Sequence, residues 1–364
     1  MFTLSEIGLY LCFSILVGGL LLQMVPDNSK PTVTLPKPIL LSSVAGIGML
    51  TFMPVLRVIL YFFSDPHIDS WDLIKSVLFS FEVGKAWWMT LGLSIVLFIM
   101  IAKTNPSGKP SQEMLVPKLA LAIGLVLIQG WSSHAASFFA WDGFFAHTMH
   151  FLAMSIWVGI LLVTGWFSQG EANWGSFLAW YHPLAIACVV MTTAAGLVLT
   201  LYVSPEYLNG WIFSYGQALL IKHLLLIPLL LFGAINGLLL KKRLKTQPDF
   251  NPLGWFKAES VFVLAIFGVT AFMGQQATPH EAAAAPNMTE PSPLFSFFYQ
   301  GVLGDNPALF LAMNGASGIL LAAALLFGAM VVLAYQKKMS PCISVLMGIL
   351  CAATGYLSLM FAIR

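Results

Sequence analysis

The apolar positions of this chain come in long runs, with most polar residues gathered between them. A helix that crosses a membrane takes about 20 apolar residues. Ten runs approach or reach that length: roughly 4–25, 38–63, 83–103, 115–135, 142–168, 176–203, 214–240, 254–275, 308–335 and 342–362. The pattern predicts an all-α fold, a polytopic integral membrane helix bundle with about ten transmembrane helices. Pro54 and Arg57 fall inside the second run. Proline lacks a backbone donor and clashes with the preceding turn, so a kink is expected there. Arg57 is expected to snorkel or pair. The segment 65–82 carries Leu73, Ile74, Val77, Leu78 and Phe81 at helical spacing. That spacing predicts an amphipathic helix lying in the membrane interface.

Composition sharpens this picture. Of 364 residues, 59% are hydrophobic and 9% are charged, against about a quarter charged in a soluble domain. The net charge of +2 gives no footprint for nucleic acid. The N-terminal run has neither a basic flank nor a small-residue cleavage site and reads as a retained helix. Cys12, Cys188, Cys342 and Cys351 all stand in apolar segments, without a CxxC pair, and read as small packing residues. Lys and Arg concentrate in the first, third, seventh and ninth connections. The positive-inside rule places those connections in the cytoplasm, with both termini outside and a multi-pass location in the cell (cytoplasmic) membrane. The Pro- and Ala-rich loop 276–307 then lies outside, partly mobile.

The polar residues that remain inside the runs carry the chemistry. His147 and His150 stand three apart, Met154 follows four later, and on a helix these three share a face. Ionisable residues are costly in a bilayer and mark functional paths there. His147 and His150 fall about 8 and 12 Å below the outer start of the fifth helix, and Met154 about 18 Å down. Met191 reaches a similar depth on the sixth helix, and His134 is expected to close the fourth helix at its outer end. Imidazole and thioether ligands together suit copper, and the soft thioether favours Cu(I). His134, His147 and His150, with Met149 and Met154 beside them, therefore form a candidate entry site for a copper ion, Cu(I) or Cu(II). His223, about 14 Å down the seventh helix, is a further candidate ligand. His182, Lys222 and Glu259 are candidate path or gate residues. Asn236 and Tyr215 read as packing and hydrogen-bonding residues, and His67 and His280 as solvated loop residues.

Three stretches, SSHAAS at 132–137, HTMHFLAMSIWVGILL at 147–162 and SYGQALLIKHLLLIPLLLFGAIN at 214–236, resemble the CopD copper-resistance membrane domain. That domain is also the membrane part of YcnJ-type proteins. Glu259 near the start of the next helix, and Thr278-Pro279 after it, fit the same pattern. The resemblance divides the chain into N-terminal helices over 1–114, a CopD-like core over 115–280, the outer loop 276–307 and two C-terminal helices over 308–364. It implies copper movement across the cytoplasmic membrane, often with an extracytoplasmic CopC-like copper-binding partner. The sequence departs from the family in having no fused CopC-like domain, and in Gln217 and Gly237 where basic residues are common.

Three functions fit these residues. One is a copper transporter, not an enzyme, that captures copper at the outer histidines and passes it to methionines in the uptake direction. No GxxxxGK[ST] motif is present to supply ATP chemistry. Another is a haem-b electron carrier with His150 and His223 as axial ligands. The last is an assembly factor that delivers copper without transporting it. Membrane lipids are partners in every case.

Overall fold

The computed structural model describes residues 1–63, 69–104, 112–170, 172–247, 250–279, 290–299, 301 and 308–364. His67, His280 and most of loop 276–307 lie outside the described residues. Ten helices are long and apolar enough to cross a membrane, which makes the chain a helical multi-pass protein. It divides into two compact units, Met1–Leu199 and Thr200–Arg364.

The first unit opens with α1 (Phe2–Met24). The second span is broken into α2 (Lys37–Leu50) and α3 (Phe52–Phe62) at Thr51. Thr51 lies three residues before Pro54, which leaves the Leu50 carbonyl without its helical donor, so the expected kink is present. Arg57 is exposed on α3. α4 (Ser70–Phe79) is the expected amphipathic helix, capped by the Asp69 carboxylate, which accepts from the Trp71 and Asp72 amides. It packs Leu73 and Val77 against Val55 and Ile59 of α3.

α5 (Glu82–Ala102) and α6 (Gln112–Trp131) follow. α7 (His134–Phe167) begins earlier than the apolar run suggests. Ser133 caps it by accepting from the Ala136 amide, so His134 opens the fifth span instead of closing the fourth. The early segment is separated from the rest by non-helical dihedrals at Phe139 and Ala140. α8 (Trp174–Val203) completes the unit. A two-residue antiparallel ladder, Thr32↔Gln169 and Val33↔Ser168, ties the connection after α1 to the one after α7.

The core of this unit lies around α1. Phe13, Leu16, Val17 and Leu20 pack with Val44 and Ile47 of α2, Leu97 of α5, Leu125 and Val126 of α6, and Phe151 of α7. A Cβ on Gly18 would overlap the Gly159 backbone, and one on Gly159 would overlap Ser14 and Gly18. Small residues let two membrane helices approach this closely.

The second unit contains α9 (Ser214–Ala234), a π-helical turn (Ile235–Leu239), α10 (Leu240–Thr246) and α11 (Leu253–Met273). A short α12 (Pro293–Phe298) lies within the loop read as irregular, and buries Phe295 beside Trp211 and Ile212. α13 (Gly315–Gln336) starts seven residues later than the apolar run does. Asn314 and Ser317 form a reciprocal capping box that fixes this start. The preceding residues instead pair with the chain end: the Ala312 amide donates to the Ala362 carbonyl at 2.7 Å and Arg364 to Phe310 at 2.9 Å. α14 (Pro341–Ala362) ends the chain's helices. Cys188 and Cys351 are buried and Cys12 is partly so, while Cys342 is exposed at the start of α14 and is not a packing residue; all four are free thiols.

Candidate functional site

In the first unit, α7 carries its polar face between two helices. His150 Nδ1 lies 2.9 Å from the Thr192 carbonyl of α8. Its ring fits against Gly196, where a Cβ would come within 3.2 Å of it. Lower on the same pair, Tyr181 Oη donates to the Trp157 carbonyl at 3.2 Å. The order of these contacts makes α7 and α8 antiparallel. A carbonyl can only accept, so Nδ1 carries a proton, and in the neutral imidazole the lone pair then sits on Nε2. Ligating histidines are oriented in this way.

The other neighbour is α1, which runs parallel to α7. His147 stacks on Phe151 (ring centroids 6.2 Å apart, planes at 18°). Phe151 meets Phe13 edge-on at 5.0 Å and Tyr10 at 6.2 Å. Ser14 Oγ approaches Met154 Sδ at 3.8 Å. Tyr10 donates to the Glu6 carboxylate one turn earlier, so Glu6 falls at about the level of His147. Sequence reasoning missed Glu6, Tyr10 and Ser14. A carboxylate inside the first apolar run was a usable signal for Glu6. Nothing in the sequence marked Thr192, which acts through its backbone.

The structure thus keeps His147, His150 and Met154 on one stretch of α7. Met191 precedes Thr192 on α8 and is exposed, as is Met149 on α7. His134 is exposed at the start of α7, beyond the break at Phe139–Ala140. Among the described residues, no three His, Cys, Asp or Glu side chains gather into a metal-sized cluster. The three outer histidines therefore do not form a preassembled cage. His182 is partly buried on α8, ten residues or about 15 Å along the helix from Thr192.

The second unit holds the remaining candidates. His223 Nδ1 lies 2.7 Å from Tyr207 Oη. Lys222, beside it on α9, is partly buried. Gln217, buried, donates to the Trp211 carbonyl at 2.6 Å and accepts from Tyr356 at 2.6 Å. Glu259 is 3% exposed on α11, and its Oε2 accepts from Asn236 Nδ2 at 2.7 Å. Asn236 also donates to the Trp255 carbonyl at 3.3 Å. It is thus a polar partner of Glu259 and not packing alone.

Residues 175–273 match the family model described as Copper resistance protein D, CopD. This stretch is similar to the CopD family. It runs from α8 to the end of α11. It contains Met191, His182, Lys222, His223 and Glu259 but not His134, His147, His150 or Met154. Over 225 residues the chain is 26% identical to "Copper transport protein CutJ" of Bacillus subtilis (strain 168). That match covers 58% of this chain and 40% of the relative, so it spans less than half of the relative's length. No solved structure matches the chain.

Proposed function

We propose that this protein carries copper ions across the cell membrane, in the uptake direction. His147 and His150 are the first intramembrane ligands, with His134 and Met149 nearer the surface. Met154 and Met191 receive the ion below them. His223 acts further along as a ligand, and Lys222, His182 and Glu259 as path or gate residues. The reading takes its orientation from the Lys and Arg distribution, which puts the His134 end of α7 outside. A CopC-like copper-binding protein is the donor that the family resemblance suggests. The observation that carries the reading is the His150 ring, fixed through Nδ1 to the Thr192 carbonyl with its lone pair on Nε2. One turn below it on the same helix is the Met154 thioether. Imidazole above thioether is a ligand set for copper. Two or three ligands per site hold an ion loosely enough to pass on. The similarity of 175–273 to the CopD family and that of the chain to a copper transport protein support the same substrate.

The test is copper content and absorption of the purified protein, followed by copper flux into proteoliposomes. Wild type should bind and move copper, and His147→Ala combined with His150→Ala should do neither while keeping its helical circular dichroism. Normal copper binding by that double variant would overturn the site. A Soret band that it removes would replace copper with haem.

A further inference from the structure

Glu259 has a second chemistry available to it. Its carboxyl is buried six residues, or about 9 Å, into α11. Among the described residues no cationic side chain forms an ion pair with Glu259 within 4 Å. An isolated buried carboxylate is far too costly to keep unless something binds and neutralises it. Oxygen donors suit a hard cation, and Glu259 and Asn236 offer no soft atom for copper.

Asn236 supplies what a proton acceptor needs in both states. It is 3% exposed and lies in the π-helical turn that follows α9; such turns often occur at functional sites. The amide Nδ2 donates to Oε2 at 2.7 Å, a bond that an ionised carboxylate accepts. Asn236 Oδ1 is buried with no hydrogen-bond partner. An amide carries both a donor and an acceptor end. Rotating it by half a turn would present Oδ1 to a protonated Oε2–H. Gly233 lies beside Oε1, where an added Cβ would come into ordinary van der Waals contact at 3.8 Å.

We propose that Glu259, held by Asn236 at the π-helical turn, is a proton-binding site of this protein. The proton adds to Oε2 from water and leaves the same way, and no other bond changes. The neighbouring elements leave the site to this one group. On α11, Lys257 is exposed. On α9, Lys222 lies 14 residues, about 21 Å, before Asn236. At the near end, Tyr335 of α13 packs on Trp255 at 4.9 Å, and Arg243 of α10 stacks over Phe250. α14 presents Gly348 to Phe262.

Infrared difference spectroscopy of the purified full chain, titrated in pH without copper, reads this proton directly. A carboxyl C=O band should appear on acidification, titrate as one proton, and vanish in Glu259→Gln. Asn236→Leu keeps the carboxyl but removes the amide, and should shift the midpoint by about one pH unit, a tenfold change in proton affinity. Identical titrations of wild type and Glu259→Gln would overturn the proposal, as would an unshifted midpoint in Asn236→Leu. Displacement of the band by sodium at constant ionic strength would overturn it in favour of a metal-cation site. Because no copper is present, these outcomes are independent of the transport reading.

Discussion

His150 and Glu259 each place a titratable group inside an apolar helix bundle, and they are held in different ways. His150 is tied to a backbone carbonyl of α8, which fixes its tautomer and leaves a ring nitrogen with a lone pair. Glu259 is tied to a side-chain amide that can serve either protonation state. A fixed imidazole above a thioether suits a soft metal, whereas a buried oxygen pair suits a proton. The helix contacts differ too. Near His150, Gly18 and Gly159 meet backbone to backbone; near Glu259, Gly348 meets the Phe262 ring and Pro228. The first region is built on rigid main chain and the second on side chains that can rotate. Of the two titratable groups, Glu259 lies within the residues that match the CopD model and His150 lies outside them.

The largest expected effect follows from the ligand role of the first region. His147→Ala with His150→Ala should weaken copper binding by on the order of 100-fold or more, about 2.7 kcal/mol or above. Glu259→Gln should leave that binding within about twofold. Equilibrium dialysis of both variants with copper makes the comparison, and equal losses would erase the distinction between the regions.

Next comes helix contact. Gly159→Ala forces a methyl into the Gly18 main chain, and overpacking of this kind costs about 1–3 kcal/mol. Gly348→Ala meets a ring edge that can move, so it should cost less. Thermal unfolding in detergent orders the two, and a larger drop for Gly348→Ala would reverse the contrast.

Much of the fold was legible because it depends on runs of apolar residues. Ten spans, the break before Pro54 and the amphipathic α4 could all be read this way. Helix ends were less legible where capping or distant pairing decides them. Ser133 starts α7 early, and Asn314 with Ser317 starts α13 late, because 310–312 pair with the chain end. The His147–Met154 face could be read from helical spacing, but its neighbours could not. Which helices flank α7 is a tertiary fact, so Tyr10, Ser14 and the Thr192 carbonyl had no signal in α7's own sequence. That Asn236 hydrogen-bonds could be read, but not that Glu259 is its partner, because that depends on a contact 23 residues away.

A smaller effect tests the strained entry to α7. Ala140 has φ 47° and ψ −122°, a conformation that glycine adopts without strain. Ala140→Gly should therefore raise stability by up to about 1 kcal/mol, seen as a higher Tm with unchanged copper binding. A lower Tm would mean that the Ala140 methyl contributes more than the backbone strain costs.

The smallest effect concerns the second region's histidine. Tyr207 lies outside the membrane-spanning segments, and burial raises its hydroxyl above the usual tyrosine range. The fold therefore favours the neutral phenol. Its contribution is complete below about pH 10, where an unfolded tyrosine ionises, and is lost as pH rises through the higher folded value. Tyr207→Phe removes the 2.7 Å contact to His223 Nδ1 but keeps the ring. It should cost about 1 kcal/mol at neutral pH and flatten the alkaline loss of stability. Copper binding at His147 and His150 should be unchanged, since Tyr207 belongs to the other unit. Unfolding measured from pH 7 to 11 on both proteins decides it, and parallel alkaline losses would remove Tyr207 as their source.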